Sequence, residues 1–208
     1  MIRVMLADDH TLVREGLKQL LSAAPGINVA GEAGDGDAAL ALVRAEDFDV
    51  AVLDLSMPGL SGIDLIKRLL REKPQLRVLV LSMHGEQQYA VRALKAGASG
   101  YLTKDSAPSQ LVSVIRKIAA GGVHVSETAA ALLIGGQAAS AEAPHTRLSD
   151  REFEIFRALV AGEPVGSLAD RLNLSVKTVS THKTRILQKM NMESTAELVR
   201  YAVERKLL

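Results

Sequence analysis

Five short apolar runs punctuate the first half of this 208-residue chain, and four of them end in polar residues of a particular kind. The run over 2–7 ends in Asp8 and Asp9, and the run over 49–54 ends in Asp54 itself. Ser82 closes the run over 77–82, and Lys104 follows the run over 99–102. The fifth run covers 27–33, and helix-like stretches near 12–24, 36–46, 62–73, 86–96 and 107–121 alternate with the runs. Strictly alternating β and α elements form a parallel, doubly wound sheet. In such a sheet the carboxyl ends of the strands open on one edge, where ligands bind. Asp8, Asp9, Asp54, Ser82 and Lys104 are therefore expected to share one pocket.

Any one of these residues alone would be ordinary, since an acid at a strand end usually serves as a turn or helix cap. Together they define a chemistry. Three crowded carboxylates repel and call for a proton or a divalent cation between them. Oxygen-only ligands at a shallow strand-end site favour Mg²⁺. A carboxylate beside such an ion can attack phosphorus and become an acyl phosphate. Asp54, on the central strand, is the expected nucleophile, with Lys104 neutralising phosphoryl oxygens and Ser82 donating a hydrogen bond to one.

The second half follows another period. Residues 135–146 (GGQAASAEAPHT) are small, polar and aperiodic, as a linker would be, and a short helix over 128–134, capped by Ser126, precedes them. Ser149 with Glu152 and Ser194 with Glu197 read as capping boxes opening helices over 150–161 and up to about 205. Leu168, Ala169 and Leu172 mark a short helix, and Ser175 caps another over 176–191. Four short helices in this arrangement form a helix-turn-helix module. The expected division is 1–122, a linker over 123–146, and 147–208.

Net charge is only +1, but it is unevenly placed. Residues 1–122 balance 14 basic against 14 acidic side chains, whereas 147–208 carry 11 against 8. No acid lies between Asn173 and Met192, where Lys177, Lys183, Arg185 and Lys189 stand. A local basic helix in a near-neutral protein implies a phosphate-bearing partner. Val176, Val179, Ile186, Leu187 and Met190 form its apolar stripe. The other face offers Ser180, Thr181 and Thr184 to base edges in a DNA major groove, with Thr178 and His182 beside them and the cations toward phosphates. A module this small is expected to act as a homodimer on paired half-sites, with Leu198, Val199 and Ala202 a candidate interface or core stripe. The chain has no cysteine, which excludes disulfides and thiolate metal sites, and no apolar stretch long enough to span a bilayer. A cytoplasmic protein without membrane contact is expected.

The strings LADDH, LDLSMPG, VLSMH and AGASGYLTKDS resemble the receiver domain of bacterial two-component response regulators. VKTVSTHKTRILQKM resembles the recognition helix of the LuxR-type helix-turn-helix, and together they resemble the NarL/FixJ class. The resemblance implies a five-stranded flavodoxin-like receiver followed by an all-α four-helix domain. It implies Asp54 as acceptor of a phosphoryl group from a sensor histidine kinase. It further implies Asp9 and Asp54 as Mg²⁺ ligands, with Asp8 nearby and the Ser56 carbonyl completing the set. Ser82 and Tyr101 would be the switch pair, and RNA polymerase a further partner.

Two departures stand out. Ser61 replaces the usual Asp or Asn before Gly62, and Pro164–Ala169 (PVGSLA) lacks the polar residues usual in the first helix of the turn motif. A competing reading is a haloacid-dehalogenase-like phosphatase using Asp54, but that class wants a second acid where Ser56 stands. A third is a DNA binder whose receiver serves only for dimerisation. Enzymatic activity beyond self-phosphorylation and slow self-dephosphorylation is not expected.

Overall fold

The computed structural model describes residues 1–57, 60, 62–82, 87–127, 129–130, 143–205 and 207, and divides into units Met1–Ala130 and Ala131–Leu208. The departure at Ser61 and most of the expected 128–134 helix lie outside the described residues.

In the first unit, strands β1 (Ile2–Ala7), β2 (Ile27–Ala33), β3 (Val50–Asp54), β4 (Arg77–Ser82) and β5 (Gly100–Thr103) form one parallel sheet in the order β2-β1-β3-β4-β5. Helices α1 (Thr11–Ser22), α2 (Gly36–Ala45), α3 (Gly62–Glu72), α4 (Gln87–Lys95) and α5 (Ala107–Ala119) follow the strands in turn. Every residue of β3 is buried, because an interior parallel strand is covered on both faces and so reads as a continuous apolar run. One core layer joins Val4, Leu6, Val52, Leu79 and Leu81 of the sheet to Leu17 and Leu21 of α1 and to Leu111, Ile115 and Ile118 of α5. On α3 the buried residues Ile63, Ile66 and Leu69 recur at helical spacing.

Strand register aligns the site. Ala7 pairs with Leu53, Asp54 with Leu81, and Ser82 with Thr103, so Asp8, Asp54, Ser82 and Lys104 all emerge at one edge. Chain order reverses between β1 and β3, the position where such sheets open a crevice.

Gly36, which opens α2, abuts the loop after β3. An added Cβ would lie 1.6 Å from the carbonyl oxygen of Leu60, which is backbone and has no rotamer to yield. Gly36→Ala is expected to destabilise this unit by about 3 kcal/mol, the upper end for overpacking. Urea unfolding checks this, and an unchanged midpoint would contradict it.

The first unit runs past residue 122. His124 donates from N to Ser99 O at 2.9 Å and accepts from Tyr101 N at 3.1 Å, adding a bridge to the otherwise unpaired side of β5. The expected linker start at 123 therefore needs correction: these residues satisfy an edge strand.

The second unit holds a 3₁₀ turn (Pro144–Arg147) and helices α6 (Asp150–Val160), α7 (Val165–Arg171), α8 (Val176–Met190) and α9 (Thr195–Glu204). Its core stacks Phe153 on Phe156 at 6.0 Å and buries Leu168, Val179, Ile186, Met190, Leu198 and Ala202. The Ser149/Glu152 capping box is complete. At α9 Ser194 accepts from Glu197 N, but Glu197 reaches Glu193 N instead of Ser194 N, so that box is half-formed. Asn173, between α7 and α8, has φ +51°, a left-handed turn that Asn tolerates.

One further expectation is corrected here, and one open alternative is decided. His145, placed in the linker, is buried and shares a hydrogen bond with the Tyr201 hydroxyl. Leu198 and Ala202 are fully buried against α6, so they are core and not a dimer surface.

Candidate functional site

Lys104 organises the strand-end pocket. Its ammonium lies 2.7 Å from Asp8 Oδ2 and 2.7 Å from Asp54 Oδ2, tying the loop after β1 to the end of β3. Asp8 and Asp54 are each 2% exposed. Their other oxygens accept backbone N–H groups: Asp8 Oδ1 from His10 at 2.8 Å, and Asp54 Oδ1 from Ser56 at 3.0 Å. Burial pushes the Asp54 carboxyl up from its ordinary range, opposed by Lys104 and Ser56 N–H. Burial also works against the charge on Lys104, but hydrogen bonds to Asp54 and Asp8 outweigh it and hold that ammonium above its usual value. Lys104 thus contributes stability below about pH 10.5, which is lost as pH rises through its elevated folded-state value.

Three carboxylates facing one ammonium leave two negative charges uncompensated. Ligand atoms of Asp8, Asp9, His10 and Asp54 all lie within 4.8 Å of one another. This donor set fits a divalent cation: mostly hard oxygens, partly buried, with Asp9 and His10 on the open side. His10 is the group that sequence reasoning passed over. Its only signal was its place directly after two acids.

Ser82 is buried at the end of β4, one residue beyond the partner of Asp54. Tyr101 is also buried, and it helps line a cavity of about 300 Å³ with Ala90, Thr103, Ser106, Gln110 and His124. Ser56 is exposed beside Asp54.

In the second unit α8 divides as its sequence implies, with one difference at its start. Val179, Ile186 and Met190 are buried, whereas Val176, placed on the apolar stripe, is 55% exposed. Lys177, Ser180, Thr181, Thr184 and Arg185 face solvent, and Lys183 is half-buried. The Thr181 and Thr184 hydroxyls donate back to the carbonyls of Lys177 and Ser180, so what they present outward is an acceptor.

Three expected DNA-contacting residues already have partners or packing. Thr178 pairs with the Ser175 cap. His182 is half-buried, with an imidazole held below its ordinary pKa by burial first and by Arg185 second. Lys189 reaches Glu152 at 2.6 Å, clamping α8 to the start of α6.

Burial works to raise the Glu152 carboxyl, but bonds from Lys189 and Ser149 outweigh it and hold it below its usual value. A lowered carboxylate contributes stability above its unfolded pKa near 4.5 that is lost as pH falls through the folded value. Lys189 is 42% exposed, so the ion pair itself is partly screened. Glu152→Ala is expected to cost about 1–2 kcal/mol at pH 7, mostly from the cap, and to flatten the acid limb of the stability curve. Urea unfolding between pH 3 and pH 7 measures both, and an acid limb as steep as the wild type would contradict the assignment.

An acid pocket with a bridging lysine at the switch point of a five-stranded parallel sheet, joined to a helix-turn-helix with a basic second helix, defines a two-domain response regulator. Residues 4–116 match the family described as response regulator receiver domain, and residues 146–202 match bacterial regulatory proteins, luxR family. The chain belongs to the DNA-binding response regulators of the NarL/FixJ class, which regulate transcription and are not enzymes. It is 34% identical to response regulator UvrY of Escherichia coli strain K12 over 209 residues, covering all of this chain and 96% of that one. With response regulator GacA of Pseudomonas aeruginosa it shares 36% over 205 residues, covering 98% and 96%. Among solved structures, RcsB of Salmonella typhimurium aligns with a TM-score of 0.76 at 31% identity, over 98% of this chain and 97% of that one. RcsB bound to promoter rprA in the presence of the phosphomimetic BeF₃⁻ aligns with a TM-score of 0.71 at 31% identity, over 96% and 97%. The phosphatase alternative is thereby set aside. Among the described residues, no helix is long and apolar enough to cross a membrane.

Proposed function

We propose that Asp54 accepts a phosphoryl group from the phosphohistidine of a sensor kinase, and that this modification controls DNA binding by α8. The observation that carries the reading is the convergence of Asp8, Asp54 and Lys104 at a buried strand edge, with Asp9 beside them. In the transfer an Asp54 carboxylate oxygen bonds to phosphorus as the phosphorus–nitrogen bond to the donor imidazole breaks. Asp9 and Asp54, with Asp8 nearby and the Ser56 carbonyl, would hold Mg²⁺, which supplies charge neutralisation at the phosphoryl oxygens. Lys104 already sits on Asp54 and is placed to keep one of those oxygens company after transfer.

Ser82 then donates its hydroxyl toward the new group, and the Tyr101 ring repacks beside its cavity. A local charge event thereby biases a two-state packing of β5 and α5. The DNA-binding form is a homodimer on two half-sites, as the size of the module requires. RNA polymerase is a further partner at the promoter. The structures of RcsB with DNA support DNA as the partner of the helix-turn-helix. On the α8 surface, Ser180, Thr181 and Thr184 would meet base edges, and Lys177, Lys183 and Arg185 would meet phosphates.

Footprinting of genomic fragments by the wild-type chain, with and without acetyl phosphate and Mg²⁺, tests the coupling. Protection that deepens with the phosphodonor is expected. Identical protection would leave the receiver a mere dimerisation module. Lys177→Ala is expected to weaken binding about equally on all sequences and to lower the salt slope by about 1. An unchanged slope in anisotropy titrations would remove Lys177 from the phosphate contacts.

A further inference from the structure

We propose that residues 122–126 form a detachable strap on β5, and that its release couples the state of Asp54 to DNA binding. The inference rests on the reading that Asp54 is phosphorylated, and goes beyond it by naming the element that carries the change out of the first unit.

Two glycines bring the chain back from α5 to the sheet. Gly121 has φ +91°, and Gly122 N donates to Lys117 O at 3.0 Å, which reverses the path at the helix end. A Cβ on Gly122 would lie 3.0 Å from that same carbonyl. Beyond the turn, His124 sits beside Gly100 as an isolated parallel bridge. Its N donates to Ser99 O at 2.9 Å, and its O accepts from Tyr101 N at 3.1 Å. Gly100 permits the approach, since a Cβ there would stand 3.0 Å from Leu79 Cδ1 and 3.3 Å from His124 O. Ser126 then caps the next turn, its Oγ accepting from Ala129 N at 3.2 Å.

The strap is lightly held. Among the described residues a single bridge fastens it to β5, not a ladder. Two net hydrogen bonds favour a docked state by only roughly five- to thirtyfold. His124, Val125 and Ser126 also line the cavity of about 300 Å³ beside Tyr101, Ala90 and Gln110, so part of the strap lies over empty space. Short edge segments with few packed contacts are the ones that open locally.

Tyr101 joins the strap to the phosphorylation site. Its N–H bonds the strap, and its ring is the group that repacks once Ser82 turns to the phosphoryl oxygen. Coupling between sites commonly reaches about a hundredfold, enough to take such a strap from about 10:1 docked to about 1:10. The first unit ends at Ala130, so release lengthens the tether that leads to the second. Five extended residues span up to about 17 Å. One strap from each of two chains gives about 34 Å, the separation of half-sites one DNA turn apart. Release therefore adds the reach that two copies of α8 need to occupy both half-sites.

Amide hydrogen exchange by NMR on the full-length chain, with and without acetyl phosphate and Mg²⁺, reads the strap directly. Phosphorylation is expected to speed exchange at Tyr101 and His124 by about tenfold. Arg77, bonded to Asp49 O at 3.0 Å between β3 and β4, should change by less than about twofold. His124→Pro removes the N–H that bonds Ser99. That variant should take up phosphate as wild type does, yet bind DNA without the phosphodonor to within about twofold of phosphorylated wild type. Two results would each overturn the inference and leave the phosphorylation reading standing. One is a wild-type chain that takes up phosphate with exchange unchanged at Tyr101 and His124. The other is a folded His124→Pro that depends on the phosphodonor as strongly as wild type. A wild-type chain that takes up no phosphate would overturn both.

Discussion

Asp54→Asn is expected to take up no phosphate from acetyl phosphate, a loss of at least a hundredfold against wild type on a phosphate-affinity gel. The substitution is nearly isosteric. Its carbonyl oxygen can still accept the Ser56 N–H now held at 3.0 Å, and Lys104 keeps Asp8 at 2.7 Å, so the fold is retained. What disappears is the anionic oxygen, since an amide is a poor nucleophile toward phosphorus. Loss of charge should also spare the penalty that burial places on the Asp54 carboxylate, so the variant is expected to be no less stable than wild type near pH 7. Undiminished labelling of a folded Asp54→Asn chain would move the acceptor elsewhere, with Asp9 and His10 the nearest candidates.

The second large effect is expected from Lys104→Met. Methionine fills similar volume, so packing is not the main loss. Two carboxylates, each 2% exposed, lose the ammonium that lies between them. Removing one partner of a buried ion pair typically costs about 3–5 kcal/mol. Here the pocket opens on a strand edge, so roughly 2–3 kcal/mol is expected at pH 7 in chelator. The sign of the pH response follows. Asp54 is already raised by burial, and without Lys104 it rises further, which adds stability below its unfolded value near 3.8 and removes it as pH climbs. The deficit of Lys104→Met should therefore shrink between pH 7 and pH 5, and shrink again when Mg²⁺ is supplied at pH 7. Urea unfolding under these three conditions reads the effect. A variant as stable as wild type in chelator at pH 7 would mean that Lys104 does not balance the two acids.

Most of the first unit was legible because interior parallel strands leave a plain record. Val50–Leu53 has no polar residue because both its faces are covered, and the next residue, Asp54, closes the strand at the sheet edge while still buried. The acids, Ser82 and Lys104 could be gathered from sequence because strand ends of one parallel sheet must share an edge. Pairings that depend on backbone geometry left no such record. Nothing in the string VHV announces that His124 will bond to Ser99 and Tyr101 along β5. His145 sits among small polar residues that read as linker, and only its pairing with Tyr201, 56 residues away, shows it to be core. The stripe of Leu198 and Ala202 showed that α9 buries a face but not what covers it.

The α8 cations carry the same lesson. Charge and periodicity place Lys189 on the polar side of the helix with Lys177 and Lys183, yet its ammonium serves Glu152 of α6. A helical pattern reports which way a side chain leaves its own axis. It is silent about acids brought in by a neighbouring helix.

The most direct measurement is to phosphorylate the wild-type chain with acetyl phosphate and Mg²⁺, reduce the product with borohydride, and sequence its peptides by mass spectrometry. Reduction converts an aspartyl phosphate to homoserine, and homoserine at position 54 alone is the expected product. Homoserine at Asp8 or Asp9, a phosphorylated His10, or no modified peptide from a chain that had taken up phosphate would contradict the assignment of Asp54.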